Sequence, residues 1–135
     1  MATVALEHVS VRHDAVLLLD DVNLVVGDGE MIGVVGASGA GKTTLLRAIA
    51  GVEALASGAI SIGGVDVSDA APAERNVSMV FQTPQLIPHR DVRRNIAFPL
   101  ELRHHPEDDV ATRVAAETRA LHIEALLARP PRDLS

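Results

Sequence analysis

Residues 31–51 read MIGVVGASGAGKTTLLRAIAG, and this stretch decides the fold of the chain. An apolar run from Met31 to Val35 leads into a glycine-rich segment. Leucine and isoleucine then recur at helical spacing until Gly51. The pattern predicts a strand, a loop and a helix, in that order.

Four residues of this stretch fill the fixed positions of the pattern G-x-x-x-x-G-K-[ST], which are Gly36, Gly41, Lys42 and Thr43. The pattern is that of the phosphate-binding loop of nucleotide triphosphatases. Glycine permits backbone angles that a side chain would forbid, so several N–H groups can turn toward one phosphate. A helix N-terminus alone contributes only about 0.3 to 1 kcal/mol to an exposed anion, so the N–H groups and Lys42 must contribute the rest.

The motif assigns roles within this loop. Lys42 is expected to reach the β- and γ-phosphates of ATP, and the Thr43 hydroxyl to bind the Mg²⁺ that accompanies them. The alternative is a glycine-rich turn that contains a lysine by chance, and the flanking strand and helix favour the nucleotide site. The predicted nucleotide-binding residues are Gly36, Ala37, Ser38, Gly39, Ala40, Gly41, Lys42, Thr43 and Thr44.

Length and composition limit the class of protein. The chain has 135 residues, which is enough for one domain, and 47% of them are hydrophobic. Its net charge of −6 and scattered arginines argue against a nucleic-acid partner. No apolar run approaches the length of a membrane span, and the N-terminus lacks the features of a secretion signal, so we expect a cytoplasmic protein.

Two strands are predicted before the loop. Val4, Leu6, Val9 and Val11 indicate the first strand, with a slip in the alternation near His8. A second strand is expected over residues 16–26, closed by a turn at 27–29, and the two would form an additional antiparallel sheet. Asp20 and Asp21 follow an apolar run, as a magnesium-binding acid would, but the alternation continues past them, which favours solvent-facing positions.

Further elements follow the loop helix. Residues 59–67 are expected to form a hairpin through a two-glycine turn, and residues 77–81 a buried strand ending at Gln82. Residues 83–89 are predicted to form a loop.

The remainder is predicted to be helical. Asp91 is expected to cap a helix that runs to about Ala97, where Pro99 interrupts or kinks the pattern. Pro106 should open a second helix with Val110, Val114 and Leu121 on roughly one face, and a short helix is expected over residues 123–128. His104 and His105 between the helices could suggest a metal site, but a solvated linker is favoured because no third ligand is evident.

Three motifs in order resemble the ATP-binding subunit of an ABC transporter, and the resemblance covers essentially all 135 residues. They are the loop at 36–44, the run Val80-Phe81-Gln82 with Pro84-Gln85-Leu86 and Pro88-His89 after it, and the terminal Leu134-Ser135. Residues 72–75, 88–89 and 95–98 are similar to the importer branch, which takes up sugars, glycerol phosphate, polyamines or inorganic ions.

The resemblance implies an α/β fold with an incomplete P-loop NTPase core of the ABC type. It assigns residues of about 1–30 and 57–68 to an antiparallel β subdomain. The P-loop core would comprise residues 31–56 and 72–89, and part of a helical subdomain would follow over 90–135.

The resemblance also implies roles outside the loop. Gln82 matches the glutamine that contacts Mg²⁺ and the attacking water, which makes Lys42 and Gln82 the candidate catalytic residues and Thr43 and Gln82 the candidate metal ligands. Gln82 could instead be a strand-end glutamine that faces solvent. His13 falls where the family has an aromatic residue stacked on adenine, and the alternative is a surface histidine.

Partners follow from the same resemblance. Two ATPase subunits would pair around two MgATP, and residues 84–98 would face transmembrane permease subunits at the inner face of the cell membrane. In relatives the signature glycines, the magnesium-binding aspartate, the catalytic glutamate and the switch histidine lie downstream of Leu134-Ser135. The chain alone is therefore expected to bind ATP weakly and to hydrolyse it negligibly. The alternatives are a soluble ABC-type ATPase of translation or repair, and a truncated nucleotide-binding fragment without activity.

Overall fold

A computed structural model describes residues 2–83 and 85–134 of the chain. The chain divides into two compact units, the first ending at Val80 and the second beginning at Phe81. Pro84 and Ser135, which belong to the motifs quoted above, lie outside the described residues. None of the helices in these described ranges combines the length and the hydropathy of a membrane span.

The first unit is built on a four-stranded antiparallel sheet with the strand order β2-β1-β3-β4. The two long strands predicted before the loop and the hairpin predicted after it are confirmed. The strands are β1 (Val4–His13), β2 (Val16–Val26), β3 (Ser57–Ile62) and β4 (Val65–Asp66).

The predicted slip near His8 is a bulge. His8 has a positive φ of 52°, and the pairing of β1 with β2 shifts register between Leu6 and Val9. The backbone N–H of His8 donates to Asn23 Oδ1 at 2.8 Å, and His8 Nδ1 lies 2.6 Å from Asp21 Oδ1. Because the bulge adds one residue, Leu6 and Val9 both face the core although they are three positions apart. Asp20 and Asp21 are exposed on β2, as predicted.

One helix, α1 (Lys42–Ala50), completes the core of the first unit. Leu45 and Ala48 are its buried residues. Gly51 ends the helix in the left-handed conformation, and its N–H donates to Ala48 O while that of Val52 donates to Arg47 O. This pair of hydrogen bonds is a Schellman motif. The helix packs against apolar residues contributed by the sheet and the turn after it, which are Leu6, Val9, Val11, Leu19, Ile60 and Val67.

The two strands predicted at residues 31–35 and 77–81 are wrong. Neither segment forms a strand, and Met31, Val35 and Val80 are more than 90% exposed. An apolar run indicates that its side chains favour burial, but a strand also needs a neighbouring backbone with which to form hydrogen bonds. The strands of the described residues all belong to the one antiparallel sheet, and none of them pairs with either segment.

The second unit contains two α-helices, α2 (Val92–Leu102) and α3 (Glu107–Ala120). Asp91 caps α2 as predicted, since its carboxylate accepts the Arg94 N–H at 2.8 Å. The predicted end of α2 near Ala97 is wrong, because the helix continues through Pro99. Proline removes one backbone donor, but the neighbouring Phe98 and Leu100 are half-buried and favour continuation.

Helix α3 follows Pro106 as predicted. Val114 is buried and Val110 half-buried, but Leu121 is 64% exposed, so the expected single face does not extend to it. The short helix expected over residues 123–128 is a single 3-10 turn at Glu124–Leu126, and a second one covers Pro131–Asp133. His104 is exposed, whereas His105 is half-buried with its Nδ1 2.8 Å from Asp109 Oδ2.

Candidate nucleotide-binding site

The loop that precedes α1 turns sharply at two glycines. Gly39 and Gly41 have φ of 84° and 85°, in the left-handed region that glycine enters without strain. The Ala40 N–H donates to Ala37 O at 3.2 Å within the same turn. Left-handed residues at alternate positions fold the backbone into a concave loop, the conformation from which a nest of N–H groups is formed.

Helix α1 begins at this loop with its positive end unneutralised. Gly41 is its N-cap and provides no side-chain hydrogen bond, and the first turn contains no acidic residue. The first N–H groups of any α-helix have no acceptor within the helix, so those at Lys42, Thr43 and Thr44 are available to an anion. Helix α3 differs, because three acidic residues occupy its own first turn.

The ammonium group of Lys42 lies against the loop. Its Nζ donates to Gly36 O at 2.9 Å and to Ala37 O at 2.6 Å. The lysine side chain therefore runs back from the start of α1 to the beginning of the loop. This places a compact positive charge beside the helix N-terminus, where it adds to the attraction for an anion.

A cavity of about 320 Å³ adjoins the loop, and its wall includes a residue that sequence reasoning missed. This residue is Leu18 of β2, whose side chain is 37% exposed. In the sequence it is one leucine of the apolar run at 16–19, and nothing in that run indicates a contact with the loop. A Cβ added to Gly41 would meet Leu19 Cδ2 at 2.8 Å and Leu18 O at 2.9 Å, so β2 packs directly on the loop. The other residues that line the cavity are Ser38, Gly39, Ala40, Gly41, Lys42, Thr43 and Thr44.

The loop residues fit a magnesium-bound triphosphate by their chemistry. They combine open N–H donors, one ammonium group and the hydroxyls of Thr43 and Thr44, and a Cβ at Gly39 would meet nothing within 4 Å. Phosphate oxygens accept from N–H and ammonium groups, and a hydroxyl oxygen suits Mg²⁺. In the part of the chain that the structure describes, no three His, Cys, Asp or Glu side chains are grouped to hold a metal ion.

Residues 36–44 lie together in one loop and the first turn of α1. The other two predicted site residues are His13 and Gln82. His13 is exposed at the end of β1, opposite Val16. Gln82 is exposed in a bend at the start of the second unit. Their roles toward adenine, Mg²⁺ and water remain predictions.

In the second unit, Asn95 fixes the loop at residues 87–91, directly before α2. Its Oδ1 accepts the Ile87 N–H at 2.7 Å. Its Nδ2 donates to the carbonyl oxygens of Ile87, Arg90 and Asp91 at 3.2, 2.9 and 2.9 Å. Sequence reasoning noted the segment 95–98 but not this function, because an asparagine at helical spacing gives no sign of which carbonyls it reaches.

An apolar groove of about 390 Å³ lies in the second unit. Leu86 and Leu121, which line it, are 45% and 64% exposed. Near this groove, Arg90 Cζ lies 4.5 Å from the ring centre of Phe98. Arg90 Nη1 donates to Glu101 Oε2 at 3.0 Å. The other residues lining the groove are Val92, Asn95, Ile96, Ile123, Leu126, Arg129, Pro131, Asp133 and Leu134.

A solved structure has the same fold as this chain. The ATP-binding cassette MJ0796, in a dimeric post-hydrolysis state bound to ADP and Pi, superimposes with a TM-score of 0.86 at 24% identity. The match covers 98% of this chain and 63% of that one. At this identity the likeness shows the fold, which is the predicted α/β fold of an ABC ATPase.

Three curated relatives match the whole chain. The sn-glycerol-3-phosphate import ATP-binding protein UgpC of Rhizobium meliloti is 44% identical. The osmoprotective compounds uptake ATP-binding protein GgtA of Synechocystis is 42% identical, and the trehalose import ATP-binding protein SugC of Mycobacterium tuberculosis 43%. The chain spans 39%, 37% and 35% of their respective lengths. The family model described as ABC transporter matches residues 4–135, and the chain therefore belongs to the ABC transporter family.

Proposed function

We propose that the chain binds MgATP at residues 36–44 and forms part of the ATP-binding subunit of an ABC importer. In a full-length subunit of this kind, here called the longer protein, ATP binding and hydrolysis would drive solute uptake. The observation that carries the proposal is the start of α1, where an uncapped helix N-terminus, two left-handed glycines and the Lys42 ammonium group surround one loop.

Each group of residues at this site would make a different contact with MgATP. The N–H groups of the loop and of the first turn of α1 bind phosphate oxygens, and Lys42 neutralises charge on the β- and γ-phosphates. Thr43 and Gln82 would hold Mg²⁺, which supplies further charge neutralisation when bound. His13 would contact the adenine through its imidazole ring, which offers less stacking area than a larger aromatic side chain.

The test of the site is calorimetric titration of the chain and its Lys42→Ala variant with MgATP. We expect the variant to bind at least about tenfold more weakly, which corresponds to about 1.4 kcal/mol. Arg47→Ala is the matched control, because Arg47 is a cation of the same helix but lies exposed in its last turn. Equal affinity in the Lys42→Ala variant and the unaltered chain would refute the assignment.

Import is supported by the names of the three relatives, each of which is an import or uptake ATP-binding protein. We propose that residues 84–98 face permease subunits at the inner side of the membrane. The exposed Leu86 lines an apolar groove, and Asn95 holds the adjoining Ile87 by a hydrogen bond, so this part of the second unit offers an apolar surface to a partner. Co-purification of the longer protein with a membrane permease would support this partner, and its absence would favour a soluble ABC-type ATPase.

We further propose that hydrolysis needs residues beyond those present here and a second ATPase subunit. Phosphoryl transfer requires a positioned water and several groups that neutralise charge, and the loop supplies only some of them. The three-part division into β subdomain, P-loop core and helical subdomain at the boundaries given above belongs to the same proposal. A rate of ATP hydrolysis by this chain equal to that of the longer protein would contradict it.

A further inference from the structure

Arg75 is a buried arginine whose hydrogen bonds join two separate parts of the first unit. Only 5% of its surface is exposed. Its Nη1 donates to Ala48 O at 2.8 Å and to Ile49 O at 3.2 Å, both near the C-terminus of α1. Its Nη2 donates to Ser68 O at 3.0 Å and its Nε to Ala70 O at 3.0 Å, in the turn after β4.

Burial of this guanidinium is unfavourable unless its donors are satisfied. Burial lowers the pKa of Arg75, and the nearby Asp69 carboxylate opposes this shift. The carbonyl groups at the C-terminus of a helix carry partial negative charge, so α1 offers the guanidinium a favourable end. A rigid planar fork can reach four carbonyl groups in two directions, which the single ammonium group of lysine cannot do.

Gly51 leaves room for the Arg75 side chain because glycine has no Cβ. A Cβ on Gly51 would lie 2.5 Å from Arg75 Nε and 2.9 Å from its Cζ, and Gly51 has a φ of 77°. A side chain at position 51 would therefore displace the guanidinium from the end of α1. Gly51 and Arg75 act as one contact, although 24 positions separate them in the sequence.

We infer that Arg75 is a positioning residue for the phosphate loop, which it controls from the opposite end of α1. The inference rests on the proposed function, because it concerns the affinity of the same site. Helix α1 has nine residues and a length of about 13.5 Å. It is anchored near its middle by Leu45 and Ala48, so a shift of about 1 Å at its C-terminus would tilt the helix and move its N-terminus by a similar distance. Displacements of that size at a binding site weaken it substantially.

The experiment compares Arg75→Lys, Gly51→Ala and the double variant in the full chain. Arg75→Lys keeps the positive charge but loses the fork, whereas Gly51→Ala displaces the fork without changing it. Ile60→Val is the control, because it removes one methylene from the same core on β3 rather than α1. All are titrated with MgATP by calorimetry, well below each unfolding midpoint, and their backbone amide signals are recorded by NMR.

We expect each single variant to lower MgATP affinity by about five- to tenfold, and the double variant to lose little more, because both changes disrupt one contact. The amide signals of Gly39, Gly41 and Lys42 should shift in these variants and stay in place in Ile60→Val. Affinities like that of the unaltered chain, or an equal loss in Ile60→Val, would overturn the inference. Failure of the unaltered chain itself to bind MgATP would instead overturn the proposed function, and the inference with it.

Discussion

Gly39 and Gly41 provide a matched pair for testing why the phosphate loop needs glycine at one position more than at the other. Their φ angles are 84° and 85°, so alanine at either position meets the same unfavourable backbone conformation. The surroundings differ. A Cβ on Gly39 would meet nothing within 4 Å, whereas one on Gly41 would lie 2.8 Å from Leu19 Cδ2 and 2.9 Å from Leu18 O.

The magnitudes follow from these distances. Alanine in the left-handed region costs about 1 to 2 kcal/mol, and this applies to both variants. The collision of a Gly41→Ala side chain with the β2 backbone adds an overpacking cost of about 1 to 3 kcal/mol. Alanine is also a poorer N-cap than glycine, which adds about 0.5 kcal/mol at position 41. The free energy of unfolding should therefore fall further in Gly41→Ala than in Gly39→Ala, by about 1.5 to 3.5 kcal/mol.

Urea unfolding followed by circular dichroism, without nucleotide, measures this difference. With a denaturant slope near 1.5 kcal/mol/M, the midpoint of Gly41→Ala should lie at least about 1 M below that of Gly39→Ala. Nucleotide is omitted because bound ligand stabilises the folded chain, so a loss of phosphate binding in either variant would change the midpoint for a reason other than packing. Equal midpoints, or a lower midpoint for Gly39→Ala, would refute the argument that β2 packs against the loop at Gly41.

Two further predictions concern the second unit. Asp91→Ala should lower the free energy of unfolding by about 1 kcal/mol, because it removes the acceptor of the Arg94 N–H, while Asp91→Asn retains an acceptor and should lose less in the same urea titration. Equal losses would contradict the capping role. A hydrogen bond from Arg113, and to a smaller extent one with His105, lowers the pKa of Asp109 below its ordinary value of 3.8. Its stabilisation is therefore present at neutral pH and lost as the pH falls below about 4 through the lowered pKa. The difference in unfolding midpoint between the unaltered chain and Asp109→Asn should narrow from pH 7 to pH 3, and a constant difference would exclude this role.

Local patterns predicted local structure well. The alternation of β1 and β2 located both strands, and its interruption located the bulge at His8, because one shifted side chain changes which face every later residue takes. The helical spacing after Lys42 and the glycine at position 51 gave both ends of α1. Each of these features is decided by residues within a few positions of one another.

Contacts between distant residues were not predictable in this way. Arg75 forms hydrogen bonds with carbonyl groups 26 and 27 positions earlier in the chain, and a sequence pattern cannot show that these groups meet. Leu18 borders the cavity only because β2 folds back beside the loop. The predicted end of α2 near Ala97 is wrong because the local rule for proline at position 99 is opposed by the packing of Phe98 and Leu100, which the sequence does not display.

The segments at 31–35 and 77–81 show why the predictions of strands failed although the loop and the helix that follow residue 35 were predicted correctly. A strand depends on hydrogen bonds to a second backbone, so its sequence is necessary but not sufficient. The phosphate loop depends on backbone angles that glycine sets at its own position, on a helix that follows directly, and on a lysine that reaches carbonyl groups five and six residues away. Its shape is therefore encoded within a dozen residues. Because of this, the loop takes its concave form although the apolar segment before it pairs with no strand among the described residues.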